Sequence, residues 1–351
     1  MYAVLGKKSG KQLFEKHLKQ PVLKPGWSFS KMLGFFLAGL LVFPPYGLML
    51  VGVGLALYFH SDPAYFACAG LLALGWYLQS PILQRPHGVV TREQAPVLYG
   101  VLDQIARLQN TRIDHLAVQE NFNASFLRVE GWHGKAVVAL GYPLMSILTP
   151  EEKVAVMAHE VAHSANGDAL RSGLVGMALG TLQKWTIIWY RLNLPIEPLI
   201  WHGQLILLCF HRDSQRAEYL ADDLAAAVAG SEAMVSALKK LHFAPNFHSI
   251  LRAAADSSNT MHFYRAFQQH IRHVPDSELR RIERAGLLEG SRVDDSHPPT
   301  VYRIQRLNTH FKPSALQLTP EQTAAIDREL QTLEADLQGF ALAAWRDVMS
   351  R

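Results

Sequence analysis

His159-Glu160-Val161-Ala162-His163 sets two imidazoles and a carboxylate within five residues. On an α-helix His159 and His163 stand one turn apart on one face, where both rings can reach a single zinc ion. Glu160 then sits beside that ion as the base for its bound water, the chemistry of metal-assisted peptide hydrolysis. The chain holds 16 histidines, so five letters alone are weak and the helical context must carry the argument. Thr149 followed three residues later by Glu152 is a capping box, and Pro150 occupies the first helical position, where its missing N–H costs nothing. Val154, Met157, Ala158, Val161 and Ala162 recur at helical spacing and mark a buried side. Asn166-Gly167 supplies a stop signal.

A catalytic zinc site usually has a third protein ligand. A third histidine on the same segment is excluded, because its position is Ala169. A glutamate from a second helix is the other solution, and Glu197, Glu218 and Glu232 are available. Glu218 has the best company: Ser214 to Asp223 reads as a helix with Glu218 and Asp222 one turn apart on one face. Asp222 would accept the outer ring N–H of a zinc histidine, fixing its tautomer. Without HExxH, the same pair would read as a solvated acidic helix face.

These segments, followed by His297-Pro298-Pro299-Thr300-Val301-Tyr302-Arg303-Ile304, make the ordered pattern HExxH, ExxxD and HPxxxxRI. The pattern resembles the gluzincin peptidases of the HtpX and CAAX-prenyl-protease type, over roughly residues 93 to 308. Asn123-Ala124 followed by Val137 to Gly141 is similar to the family's segment before the metal helix. The resemblance implies an α+β, mainly helical, zincin-like metallopeptidase domain with a small sheet, holding one zinc ion per chain. It also implies that His297 and Arg303 lie near the metal, stabilising the oxyanion or gating the site. Asn123 and Ala124 would line the substrate groove.

Hydrophobic residues make up 49% of the chain and charged residues only 18%, an apolar balance for a soluble protein. The formal charge of +4 is explained by lysines 7, 8, 11, 16, 19, 24 and 31, which precede the first apolar run. A basic flank beside a membrane span fits better than a nucleic-acid surface, since no recognition motif accompanies it. Residues 32–59 and 64–83 are two apolar runs, each long enough to cross a bilayer. They predict a transmembrane hairpin turning at His60 to Pro63, with Pro44-Pro45 kinking the first span rather than dividing it. Lysine before the hairpin, none in its turn, and Arg85 and Arg92 after it place both ends on the cytoplasmic side. Cys68 and Cys209 fall in apolar runs, expected to be buried, and form no disulfide framework.

The expected organisation is a basic cytoplasmic segment (1–31), the hairpin (32–83), the peptidase domain (84–319) and a C-terminal amphipathic helix (320–351). Residues 93–108 read as a helix, and 116–118 and 136–140 as short strands around a turn at Glu130 to Gly134. Residues 174–210 read as an apolar helical hairpin turning at Pro195 and Pro198, with Trp185, Trp189 and Trp201 at a membrane surface. A second membrane crossing there is the alternative. A helix starting at Asp276 and a mobile lid over 290–296 follow, and His262, His270 and His273 read as surface or packing residues. After Pro320 a seam of Ile326, Leu330, Leu333, Leu337, Phe340 and Ala344 either docks on the domain or self-associates.

The function these features predict is a membrane-anchored zinc endopeptidase acting on peptides or proteins, membrane proteins among them, with Glu160 as base. Its partners are then substrate and the lipid bilayer, in a cell membrane were the source bacterial, and not nucleic acid. A non-catalytic membrane scaffold or a lipid-binding module would not need Glu160 together with all three candidate ligands.

Overall fold

The computed structural model describes residues 2–23, 26–79, 86–129, 134–165, 168–256, 262–275, 277, 278, 280, 281, 284 and 297–349. The expected stop at Asn166-Gly167, the turn at 130–133, the Asp276 helix start and the lid at 290–296 lie outside these residues. In chain order come α1 (Tyr2–Leu18), α2 (Phe29–Val42), α3 (Pro44–Phe59), α4 (Asp62–Leu78), β1 (Val89–Val90), α5 (Pro96–Leu108), β2 (His115–Gln119), β3 (Ala124–Val129), β4 (Lys135–Gly141) and α6 (Tyr142–Met145). There follow α7 (Pro150–Ala165), α8 (Asp168–Arg191), α9 (Glu197–Ala229), α10 (Ser231–Lys240), a 3₁₀ turn (Leu241–Phe243), α11 (Ala244–Asp256), α12 (Phe263–Arg272), α13 (Thr300–Thr309), α14 (Pro320–Thr332) and α15 (Glu334–Met349). The class is mainly helical α+β, as expected.

Four strands form one sheet in the order β1-β2-β4-β3; β2 and β4 are parallel and the other pairs antiparallel. Their period-2 alternation gives the sheet two faces. Leu116, Val118, Val138 and Leu140 join the main helical core, while Ala117, Val137 and Ala139 pack on the other side with Val129. β3, which the sequence reading left unassigned, is an edge strand. A Cβ on Gly141 would lie 2.0 Å from Asn121 O and 2.4 Å from Asn123 O, so only glycine lets the loop before β3 close over the end of β4. Gly141 N then donates to Asn123 O at 2.7 Å, which fixes the start of the edge strand.

Every residue of α7 from Glu152 to Ala162 is buried, so this helix is core on all sides. The expected capping box is present: Thr149 N donates to Glu152 Oε2 at 2.7 Å, and Glu152 N to Thr149 Oγ1 at 3.4 Å. Glu152 also accepts from Ser236 Oγ and Lys240 Nζ, each at 2.6 Å, which ties α10 to the start of α7. Lys153 pairs with Asp327 and ties down α14.

The apolar elements differ from expectation in their grouping. The chain bends by 51° between α2 and α3, at the position where Pro44-Pro45 is expected to kink the first run. Proline inside a helix removes a hydrogen bond and clashes with the preceding turn, whereas at the first helical positions it costs nothing. Helix α2 packs with α8 and α9 through Ala38, Leu41, Val42, Ala178, Ile206 and Phe210, and α3 packs against α4. No single described helix is long and apolar enough to cross a membrane; the bent pair α2 and α3 passes that test together. Helices α8 and α9 form the expected apolar hairpin, but α9 runs on unbroken for 33 residues, so its arm and the Glu218 helix are one. Trp185 and Trp189 pack onto the α2–α8–α9 cluster, while Trp201 is exposed. Cys209 is buried and Cys68 only partly so.

Both chain ends dock on the domain. Phe14, His17 and Leu23 of the N-terminal segment are buried, so 1–31 is not simply a basic tail. The C-terminal segment is two helices broken at Leu333, because the Thr319–Gln322 capping box starts α14 and the helix ends at Thr332. Ile326, Leu330 and Leu337 are buried in the main core, whereas Phe340 and Ala344 are exposed. The seam proposed for self-association through 326–344 is thus largely consumed within the chain. As expected, His262, His270 and His273 lie at the surface.

Replacing Glu152 by Ala removes its half of the capping box and leaves Lys240 without its carboxylate, so the protein should lose about 3 kcal/mol of stability. A denaturant titration reads this, and an unchanged midpoint would contradict the role given to Glu152.

Candidate metal centre

Helices α7 and α9 cross where their chemistry-bearing residues face each other. His159 Nε2 lies 3.5 Å from Glu218 Oε2, and His163 Nε2 lies 3.5 Å from Glu218 Oε1. One donor atom from each of the three residues falls within 4.8 Å of the others. Bonds of about 2.0–2.2 Å to a tetrahedral zinc put neighbouring donors about 3.3–3.5 Å apart, so two imidazoles and a carboxylate in this arrangement fit the ion. Glu197 and Glu232 are not alternatives. Glu197 stands 21 positions before Glu218 on the same helix, about 30 Å away, and Glu232 is exposed on α10.

Behind the ligands lies a second layer. Asp222, 1% exposed, places Oδ1 3.0 Å from His159 Nδ1. Arg303 of α13 forks onto Asp222, Nε donating to Oδ2 at 2.7 Å and Nη2 to Oδ1 at 2.6 Å. Its guanidinium is also 3.7 Å from Glu218 Oε2. Arg303 therefore comes to the site as expected but is engaged with Asp222. His297 Nδ1 lies 2.6 Å from Glu218 Oε2, and its ring is largely exposed at the cavity mouth.

Electrostatics follow from this packing. Burial works to raise the carboxyl pKa of Glu218, but His297, His159 and His163 together hold it well below the usual carboxylate range. Burial opposes ionisation of Asp222 as well, and Arg303 outweighs it. For His159, burial disfavours the imidazolium, yet Asp222 and Glu218 push its pKa up to about 10. Without metal the centre thus keeps a proton between its carboxylates.

A cavity of about 650 Å³ opens over these residues. Asn123 and Ala124, at the start of edge strand β3, line one side, His159 and Glu160 line another, and His297, Thr300 and Arg303 a third. All of the sequence-predicted residues except His163, Glu218 and Asp222 therefore border the cavity, and those three lie at or behind the ligand cluster.

The comparisons with known proteins agree with this geometry. The model of peptidase family M48 matches residues 102–310. The chain belongs to peptidase family M48. This M48 chain is 25% identical over 308 residues to a protease HtpX homolog of Pyrococcus abyssi, covering 80% of this chain and 94% of the relative. It is 25% identical to protease HtpX of Pseudomonas savastanoi pv. phaseolicola over 233 residues, covering 60% of this chain and 70% of the relative. Protease HtpX of Pseudomonas putida strain GB-1 is 26% identical over 232 residues, 60% of this chain and 70% of its own. No solved structure matches the chain. As an M48 member it is a metallopeptidase, a hydrolase whose family implies a metal, typically zinc.

The sequence reading missed two groups in the M48 domain. Met234, Ala237, Leu238 and Leu241 form an apolar wall of the cavity; they read only as helix core, and nothing in their spacing marks a pocket. Asp223, to which the sequence assigns no role, is 5% exposed and paired with Arg306. The available signal was the three-residue spacing of Arg303 and Arg306, which matches one helix face to the adjacent Asp222 and Asp223.

Asp222→Asn should lower zinc affinity by about 10–100-fold, read by chelator competition; wild-type affinity would remove Asp222 from the support of His159. Metal binding needs a neutral His159, which stays protonated up to about pH 10 in the metal-free protein. Apparent affinity should therefore rise about tenfold per pH unit for the proton released, between roughly pH 6 and 9. An affinity flat with pH would contradict the proton held at His159.

Proposed function

We propose that this M48 peptidase is a membrane-anchored zinc endopeptidase with one ion per chain, held by His159, His163 and Glu218. The observation that carries the reading is the convergence of these three side chains beneath a cavity that Glu160 and the β3 edge also border. Bound zinc supplies Lewis-acid polarisation of the scissile carbonyl and lowers the pKa of water. Glu160, 7% exposed, takes the proton from the attacking water and returns it to the leaving amine. The free edge of β3, with Asn123 and Ala124 at its start, holds an extended peptide by main-chain hydrogen bonds. His297, exposed at the mouth, donates to the developing oxyanion, while Arg303, committed to Asp222, positions the support of His159. A non-catalytic scaffold would have no use for Glu160 beside three ligands.

Membrane attachment is supported by a display of large exposed apolar side chains. Leu50, Tyr58, Phe66 and Trp76 project from α3 and α4, and Tyr190, Trp201, Leu205 and Leu208 from α8 and α9. So large an apolar surface has no stable place in water. Residues 32–83 together with 174–210 form the lipid-facing part, 84–319 the peptidase domain and 320–351 its docked C-terminal cover. Lys11, Lys16 and Lys19, ahead of the apolar run, are exposed, which supports a peptidase domain on the cytoplasmic side. The substrates are peptides or proteins, membrane proteins included.

Glu160→Gln should abolish cleavage of a peptide reporter and leave zinc content unchanged; Glu218→Ala should remove the zinc. Turnover by metal-loaded Glu160→Gln protein would end the proposed role of Glu160. A cysteine placed at His60 should react with an impermeant thiol reagent from outside the cell, and one placed at Thr111 should not. The reverse pattern would invert the orientation.

A further inference from the structure

A connected set of residues with no part in the proposed chemistry lies on the opposite side of α9. Arg306, 1% exposed, forks onto Asp223: Nε lies 3.1 Å from Oδ1 and 3.2 Å from Oδ2, and Nη2 also donates to Oδ2. Its other terminal nitrogen, Nη1, donates to two main-chain carbonyls of the N-terminal segment, His17 O and, at 3.2 Å, Gln20 O. His17 stands in the last turn of α1, where the helix dipole favours a cation, and Gln20 follows just beyond the helix. Phe14 stacks on Tyr302 with ring centroids 4.4 Å apart and packs in one cluster with Leu23, Tyr219 and Leu220. Toward α2, Arg216 donates to Gly26 O at 3.1 Å and to Asp213 at 2.6 Å, while Lys31 reaches Asp213 at 2.9 Å. The described residues from Phe14 to Lys31 thus follow α9 from Asp223 to Asp213.

Their register against the metal centre decides what they do. Asp222 and Asp223 are adjacent on α9, and Arg303 and Arg306 are one turn apart on α13. The inner pair stands against His159 and the outer pair against α1. Tyr219, beside Glu218, and Tyr302, beside Arg303, both carry the ring of Phe14. Glu218 and Arg303 therefore each have a chain neighbour against Phe14, and Asp222 has one, Asp223, tied to the N-terminal segment through Arg306.

We infer that the N-terminal segment is a strap, and that Arg306 and Asp223 are positioning residues that lock it, so that α9 and α13 hold Glu218 and Asp222 in register for the metal. The inference rests on the metal centre proposed above. A strap that only stabilised the fold would leave ligand geometry untouched when loosened.

The test uses the full chain with Arg306→Gln, and with Phe14→Ala as a milder change that leaves no buried charge unpaired. Amide exchange should quicken over residues 10–20 and over 216–225. Zinc affinity by chelator competition should fall about tenfold, the low end for groups acting through a ligand's support. The kcat on a peptide reporter should fall with KM unchanged. Arg306→Lys should rescue partly, since it keeps the charge but loses the fork. Faster exchange at 10–20 with wild-type exchange at 216–225, zinc affinity and kcat would overturn the inference. If Arg306→Gln fails to fold, Phe14→Ala decides by the same comparison. A wild type without zinc contradicts the proposed function instead, and exchange over 216–225, read without metal, still judges the strap.

Discussion

Two carboxylates one turn apart on a helix, both buried, repel each other and forfeit hydration unless cations meet them. Glu218 and Asp222 are in that position, 6% and 1% exposed. Most of the domain can be read as the set of partners this demands. Arg303 neutralises Asp222 from α13, His159 and His163 face Glu218 from α7, and His297 approaches it from the cavity. The all-round burial of α7 follows, because the two histidines must be carried to the centre of the fold on a helix packed from every side. A metal cation at the three proposed ligands would complete the balance.

Helix α9 joins two environments in one rigid element. Its first half packs with α2 and α8 in an apolar cluster, and its second half supplies Glu218, Asp222 and Asp223. Phe210 lies eight positions before Glu218, about 12 Å along the helix. In the proposed membrane reading, the centre therefore stands just beyond the bilayer surface, where segments leaving the membrane are extended and open to an edge strand. The unbroken helix leaves no hinge between the apolar region and the ligand.

Much of the site was legible in the sequence because its signals are local. HExxH sits on a capped helix, ExxxD spans one turn, and each spacing translates directly into a shared face. Glu218 could be preferred over Glu197 and Glu232 because Asp222 gave it a second function at helical spacing. What the sequence did not disclose depends on distant packing. The grouping of the apolar helices is of this kind, since no local signal says that α2 packs with α8 and α9 while α3 packs with α4. Strand β3 has no strong alternation and exists because β4 pairs with it. Asp223 carries no local signal of its role, since nothing near it in sequence reveals that Arg306 pairs with it. The seam at 326–344 followed a helical period truly, but past the break at Leu333 Leu337 is buried while Phe340 and Ala344 face solvent.

X-ray absorption at the zinc edge of the full-length, metal-loaded protein tests the centre most directly. Two imidazole nitrogens and carboxylate oxygen, all at about 2.0–2.2 Å and with no sulfur, are predicted for His159, His163 and Glu218. A third imidazole, or a sulfur scatterer at about 2.3 Å, would contradict that ligand set.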